Sequence, residues 1–165
     1  MKDSSQFKEL IGQHKGILFK VARTYCQDDD DRQDLVQEMM IQIWKSFQGY
    51  DDSYKISTWL YRICLNVAIS FYRKNAARKA SYMPLHEQIT SPPDEDLPEK
   101  ELQLKALERF IGELQDLDKA LMILYLEDKS HAEISDILGI SVSNVSTKVG
   151  RIKIKLKQRF SQQNI

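Results

Sequence analysis

The stretch that decides the fold is residues 130–145, SHAEISDILGISVSNV, which has the pattern of a helix-turn-helix. Ser130 and Glu133, three residues apart, form a capping box, so a helix begins here. Gly139 can adopt the left-handed backbone that ends this helix, and Ser141 can cap the next one. Two helices joined by so short a turn predict a unit that places its second helix in the major groove of DNA.

The second helix of this motif continues as a basic helix with two different sides. Its apolar side repeats at helical spacing and consists of Val142, Val145, Val149, Ile152 and Leu156. The opposite side begins with short polar side chains and continues with cations. The residues that we expect to read bases are Ser143, Asn144, Thr147 and Lys148. The residues that we expect to hold phosphates are Arg151 and Lys155.

The charge distribution separates two basic surfaces from acidic segments, although the formal net charge of the chain is zero. Residues 148–159 contain six cations and no acid, and residues 56–86 contain five cations and no acid. The acids gather in residues 28–31, where they can cap a helix, and in residues 94–101. This pattern fits two DNA contacts and a separate protein partner, and two solvated helix faces would also produce it.

Length and composition favour a small all-α protein. The 165 residues suit one large domain or two small ones, and the low content of glycine and proline, six and four residues, favours helices over a turn-rich β fold. All four prolines lie in residues 80–98, which we interpret as a flexible linker. The predicted fold is therefore two small helical domains, residues 1–79 and 99–165, of which the second is a helix-turn-helix.

Apolar periodicity predicts three helices in the N-terminal domain, at residues 6–25, 32–47 and 57–75. Trp44 on the second helix and Trp59 on the third belong to the apolar sides and are expected to face the core. In the C-terminal domain, two further helices precede the helix-turn-helix.

The sequence contains no arrangement that suggests catalysis. His14, His86 and His131 are far apart, and no Gly-rich phosphate loop or nucleophile motif is present, so we expect no enzyme, no metal and no cofactor. Cys26 and Cys64 have no metal-ligand spacing and are expected to be reduced core residues. With neither a signal peptide nor an apolar run of membrane length, a cytoplasmic protein is expected.

Three segments in the same order resemble the sigma-70 family of bacterial RNA polymerase sigma factors. They are DLVQE at residues 34–38, STWLYRICLNVAI at 57–69 and EISDILGISVSNV at 133–145. The chain is too short for the extra middle domain of housekeeping sigma factors, so it resembles the extracytoplasmic-function group. One departure is Gln115 after Leu114, where many members have proline, and we expect Asp116 to cap the next helix instead.

This resemblance implies the partners core RNA polymerase and promoter DNA, and also a cognate anti-sigma factor wedged between the two domains. By resemblance, the second helix docks on a coiled coil of the large polymerase subunit. Carboxylates and amides on its polar side can pair with arginines on a partner helix. The docking residues are Asp34, Gln37, Glu38 and Gln42.

The third helix resembles the segment that binds and melts the start-proximal promoter element. Single strands are held by cations along the backbone and by aromatic faces or amides at the bases. The expected contacts on this helix are Tyr61, Arg62, Asn66, Ser70 and Arg73. By resemblance, Tyr50 and Tyr54 in the preceding loop shape a pocket for a base flipped out of the duplex.

Two other hypotheses compete with a promoter-recognition subunit. A sigma-like decoy that sequesters an anti-sigma factor predicts the loss of basic residues from the DNA faces, which are intact here. A dimeric helix-turn-helix regulator leaves residues 34–44 and 57–69 unexplained.

Overall fold

The computed structural model describes residues 2–81 and 98–163, and every regular element within these ranges is a helix. The predicted linker at residues 80–98 lies outside the described residues except at its two ends. The helices are α1 (Ser4–Tyr25), α2 (Asp29–Phe47), α3 (Ile56–Ser81), α4 (Glu99–Gly112), α5 (Asp116–Leu126), α6 (His131–Leu138) and α7 (Val142–Gln163). The all-α prediction is confirmed.

The first two helices begin earlier than predicted, and their caps explain why. Asp3 and Gln6 form a complete capping box, in which the Asp3 carboxylate accepts from the Gln6 amide at 2.9 Å, so α1 begins at Ser4. In α2 the acidic run lies mostly inside the helix, which begins at Asp29, and the Asp28 side chain makes no capping hydrogen bond. These carboxylates are stabilised by the positive end of the helix dipole.

Helix α3 extends to Ser81, six residues beyond its predicted end at residue 75. Residues 76–80, AARKA, contain only strong helix formers, so nothing in the sequence stops the helix there. The predicted domain boundary at residue 79 consequently falls inside a helix.

The helix-turn-helix is capped at the predicted residues, although the Glu133 carboxylate accepts from the Ser130 hydroxyl at 3.3 Å, where a full capping box would have it accept from the Ser130 amide. The Ser130 hydroxyl accepts from the Glu133 amide and the Ser141 hydroxyl accepts from the Asn144 amide, both at 3.1 Å. Gly139 has φ of 71°, in the left-handed region. The expected cap at Asp116 is wrong: α5 begins at that residue, and the N-cap position is Gln115.

Helices α1–α3, the N-terminal unit, and α4–α7, the C-terminal unit, share one continuous apolar core. Leu60 of α3 and Leu121 of α5 are both fully buried in it. Contacts between the units join α1 and α3 to α5, α3 to α6, and α1 to α4. Burying a leucine side chain contributes about 1.5–3 kcal/mol, so these shared residues stabilise the contact between the units as well as each unit.

Cys26 and Cys64 are buried and form no disulfide. Burial raises the pKa of the Cys64 thiol to about 12. At pH 8 only about one Cys64 thiol in 10⁴ is then ionised, and only the thiolate is nucleophilic.

We therefore expect Cys64 to resist iodoacetamide at pH 8 in the folded chain and to react rapidly once urea unfolds it, where its pKa returns to the ordinary value. Mass spectrometry of Cys64-containing peptides after a short pulse measures both rates. Rapid labelling of Cys64 in the absence of urea would contradict the burial seen here.

Candidate nucleic-acid interface

The outward side of α7 carries the residues that the sequence selects for duplex DNA. We call it the α7 polar face, and it comprises Ser143, Asn144, Thr147, Lys148, Arg151 and Lys155. All of them are exposed except Lys148. Val145, Val149 and Ile152 on the opposite side are buried and fix the rotation of the helix. Val142, expected on the apolar stripe, is instead 49% exposed, because the first turn of α7 projects beyond the core.

Lys148 differs from its neighbours on this face. It is half-buried, and its Nζ lies 3.7 Å from Oδ1 of Asp118 on α5. Because this ion pair competes with DNA for the ammonium group, the residues best placed to bind DNA without rearrangement are Asn144, Arg151 and Lys155. Thr147 donates to the Ser143 carbonyl at 3.0 Å, which leaves its hydroxyl oxygen able to accept.

The α3 polar face comprises Arg62, Asn66, Ser70 and Arg73. Asn66 and Ser70 are exposed. The guanidinium of Arg62 lies 5.3 Å from the centroid of the Tyr54 ring, which links this helix to the preceding loop through a cation–π contact. Arg62, Tyr54 and Asn66 therefore provide a cation, an aromatic face and an amide near the start of α3, as a single-strand interface requires.

Two charged residues of the α3 polar face, however, contact the C-terminal unit. Arg62 donates to the Asp136 carbonyl of α6 at 2.7 Å, and Nε of Arg73 lies 3.3 Å from Oδ2 of Asp116. Tyr61, expected at the DNA interface, is buried with 3% exposure, and Lys129 lies 5.9 Å from its ring centroid. In this arrangement the Tyr61 ring faces protein, not solvent.

The loop before α3 is fixed by aromatic contacts. The rings of Tyr50 and Trp59 are 4.8 Å apart, and the Tyr50 hydroxyl donates to the Tyr54 carbonyl at 2.8 Å. Lys2 lies 4.9 Å from the Tyr50 centroid and donates to its carbonyl. Burial, together with the nearby Asp52 and Asp51, raises the pKa of Tyr50. Tyr54 is left 50% exposed and able to stack on a base.

The α2 polar face comprises Asp34, Gln37, Glu38 and Gln42. The first three are exposed, and the Glu38 carboxylate accepts from Gln42 at 3.2 Å. A groove of about 640 Å³ separates this face from the α3 polar face. Its polar rim consists of Glu38, Gln42, Ser46, Asn66, Ser70 and Lys74, and its apolar floor consists of Ile63, Val67 and Phe71. Ser46 and Lys74 were not predicted as site residues, because the residue pattern of a single helix does not show that a groove forms between two helices.

Two large apolar residues of α2 lie at the surface, and one of them was expected in the core. Trp44, expected in the core, is 43% exposed, and its ring packs edge-on against Phe7 at 5.0 Å. Ile41 is 46% exposed. Large apolar side chains at a surface add binding energy when a partner covers them. Trp44 and Ile41 therefore enlarge the apolar surface of α2 that a partner can bury.

Within residues 2–81 and 98–163, no three His, Cys, Asp or Glu side chains come together to hold a metal ion. None of the helices in the described part of the chain is both long and apolar enough to cross a bilayer.

A helix-turn-helix with an exposed basic helix, joined to a three-helix unit with its own basic face, defines a two-unit helical protein of the DNA-binding class. The sequence matches sigma-70 region 2 over residues 10–78 and sigma-70 region 4 over residues 104–156. The chain belongs to the extracytoplasmic-function (ECF) group of the sigma-70 family and is a promoter-specific RNA polymerase sigma factor.

Relatives span almost the whole chain. The ECF RNA polymerase sigma factor SigW of Bacillus subtilis is 26% identical over 96% of this chain and 90% of its own length. The sigma factor RpoE of Bartonella quintana, in complex with the anti-sigma factor NepR, aligns with a TM-score of 0.75 at 19% identity over 94% of this chain and 96% of that one. CnrH, in complex with the cytosolic domain of CnrY, aligns with a TM-score of 0.69 at 22% identity over 97% and 90%.

Proposed function

We propose that each polar face of this sigma factor has one partner in transcription initiation. The α2 polar face docks on core RNA polymerase, the α7 polar face reads an upstream duplex element, and the α3 polar face holds one strand of the start-proximal element after it opens. The observation that carries the proposal is that both sigma-70 regions occur in one chain and each contains a solvent-exposed basic or acidic helix face.

Docking through α2 is supported by the chemistry of its surface. Asp34 and Glu38 are exposed carboxylates four residues apart, so they lie on the same side of the helix. The amide of Gln42 is hydrogen-bonded to Glu38 one turn along the helix. Exposed charged groups and amides that can pair with a partner's charges set the orientation of a protein–protein interface.

Strand binding by α3 is supported by the combination of Tyr54, Arg62 and Asn66. A base flipped out of the duplex loses a few kcal/mol of stacking, which a ring and an amide can partly return. Contacts that exist only with the open strand favour opening, so this step needs no ATP. The groove beside Asn66, with its apolar floor, is large enough to accept part of the displaced strand.

The remaining assignments follow from this one. We place the polymerase-binding and melting unit at residues 1–81, so that it includes the whole of α3, a linker at 82–98 and the duplex-reading unit at 99–165. The chain works in the cytoplasm, where the polymerase is, and has no catalytic activity of its own. Because RpoE was seen with the anti-sigma factor NepR, and CnrH with the cytosolic domain of CnrY, a cognate anti-sigma factor is the expected regulator here too.

Transcription by core polymerase tests the proposal directly. Core enzyme with the purified chain is expected to initiate at a small set of sequences in a promoter library, and sequencing of the transcripts identifies them. Core enzyme without the chain is the control and should give no such set. A decoy would bind an anti-sigma factor but give no transcripts, and that result would contradict the proposal.

A further inference from the structure

The segment before α1 is bound to the end of α2. The backbone amide of Lys2 donates to Oε1 of Gln48 at 3.1 Å, and Nε2 of Gln48 donates back to the Lys2 carbonyl at 2.5 Å. Two hydrogen bonds in opposite directions hold the backbone of Lys2 beside the Gln48 side chain. Asp3 and Gln6 form the capping box of α1 immediately afterwards, so the Lys2 side chain leaves a backbone that is already fixed.

The Lys2 ammonium group lies at the carbonyl end of α2. Its Nζ donates to the Phe47 carbonyl at 2.9 Å and also to the Tyr50 carbonyl. The same Nζ lies 5.0 Å from the ring centroid of Phe47 and 4.9 Å from that of Tyr50. A cation is stabilised there by the negative end of the helix dipole and by the faces of the rings. One half-buried ammonium group thus joins the last turn of α2 to the loop that follows it.

From Tyr50 the contacts continue to the start of α3. The Tyr50 ring lies 4.8 Å from the Trp59 ring, and its hydroxyl donates to the Tyr54 carbonyl at 2.8 Å. The Tyr54 ring in turn lies 5.3 Å from the guanidinium of Arg62. A continuous path of direct contacts therefore runs from Lys2 to the ring that we expect to stack on a base.

The α2–α3 loop, residues 48–55, depends on such support from outside. Its residues are exposed except Tyr50, and the Asp51 carboxylate accepts from the amide of Ser53, at 3.1 Å, and from its hydroxyl. These Ser53 hydrogen bonds and, more weakly, the charge of Lys2 hold the pKa of Asp51 below its usual value. Exposed loops with local hydrogen bonds open easily, so a contact made from another segment restricts this loop more than its own turn does.

We propose that Lys2 is a positioning residue for strand binding. It clamps the end of α2 and holds the α2–α3 loop in the conformation that presents the Tyr54 ring to a base flipped out of the duplex. This inference rests on the proposed function of α3 and its preceding loop. Without the ammonium group the loop spends less time in that conformation, so affinity for the strand falls with the fraction of time lost. Lys2 makes no contact with DNA in this role.

Three substitutions separate this role from an effect of charge alone. Lys2→Met removes the ammonium group and keeps a flexible stem. Lys2→Arg is the rescue variant, because a guanidinium can donate to two carbonyls and stack on rings. Lys8→Met is the matched control, since it makes the same change of charge at an exposed position of α1. All three lie outside the α2 polar face, so each variant should bind core polymerase as wild type does, and thermal melting checks its fold.

Holoenzyme, assembled from core polymerase and the chain, is titrated with a fluorescein-labelled single strand that carries the start-proximal element of a promoter from the transcript library. Further strands each replace one base by an abasic site. Because stacking on a ring is worth about tenfold in affinity, the abasic site at the flipped position should weaken wild-type binding about tenfold. Lys2→Met should weaken binding of the intact strand about fivefold, as expected if the released loop presents Tyr54 about a tenth of the time. Lys2→Arg and Lys8→Met should bind it nearly as wild type does.

Lys2→Met and the abasic site at the flipped position should not be additive. A strand without that base has no stacking to lose, so the variant should bind it as tightly as wild type does. At the other positions of the element the two losses should multiply. The salt dependence of strand binding separates positioning from a direct phosphate contact. Lys2→Met should leave the slope of log affinity against log salt unchanged, whereas the loss of one phosphate contact lowers it by about 0.7.

Three results overturn the inference and leave the proposed function intact. One is strand binding by Lys2→Met that equals that of wild type or of Lys8→Met. Another is a loss that multiplies with the abasic site at every position, the flipped one included. The third is a salt slope that falls in Lys2→Met. If no abasic site weakens binding by wild-type holoenzyme, the proposed role of α3 and its loop is removed, and the inference about Lys2 with it.

Discussion

Core RNA polymerase is expected to be lost from the complex when Asp34 and Glu38 are both replaced by lysine. Each carboxylate is exposed on the α2 polar face, so reversing two charges places cations against the arginines proposed on the partner helix. Removing one member of a close interfacial charge pair costs about 2–5 kcal/mol, and reversal costs at least as much, so affinity should fall by at least about 30-fold. Co-purification and a fluorescence titration with core enzyme measure it.

The fold should survive this double change. Both positions face solvent, lysine is a good helix former, and the hydrogen bond that the change removes, from Gln42 to Glu38 at 3.2 Å, lies on the exposed surface of α2. A matched control reverses two exposed acids on α4, Glu101→Lys with Glu108→Lys, and should still bind polymerase. If polymerase co-purifies equally with the Asp34 and Glu38 variant, the docking face lies elsewhere on the chain.

Arg151 provides the most direct test of duplex binding by α7. This residue is exposed at the middle of the α7 polar face and forms no ion pair with the described residues. Arg151→Glu should weaken duplex binding by the isolated chain about tenfold at low salt. It should also lower the slope of log affinity against log salt by about 1, because one phosphate fewer is neutralised.

Lys157→Glu is the control for this substitution. It makes a similar change of charge on the same helix, but lies six residues on and about 120° round the axis, away from the α7 polar face. Fluorescence anisotropy of labelled duplex at several salt concentrations compares the two variants. Equal reductions in affinity for Arg151→Glu and Lys157→Glu would show that the whole helix attracts DNA non-specifically, and the assigned reading face would then be wrong.

Lys148 shows why such an assignment needs three dimensions. The sequence treats it as one more cation on the reading helix, yet it pairs with Asp118 of α5 at 3.7 Å. Asp118 precedes Lys148 by thirty residues, and no local pattern links them. The sequence placed Trp44 in the core for a similar reason: its helix has a wide apolar side, and only the position of α1 decides which part of that side is covered.

The sequence by itself determined the existence of the helices and the capped helix-turn-helix. These depend on interactions within four residues: a serine hydroxyl on a nearby amide at 3.1 Å, a glycine with φ of 71°, and apolar side chains at helical spacing. Only the tertiary structure decided which cations face solvent. Arg62 and Arg73 meet partners 74 and 43 residues away, and Tyr25 meets one 91 residues away. Such contacts arise because the two units pack around one core. The spacing of residues within a single helix therefore cannot predict them.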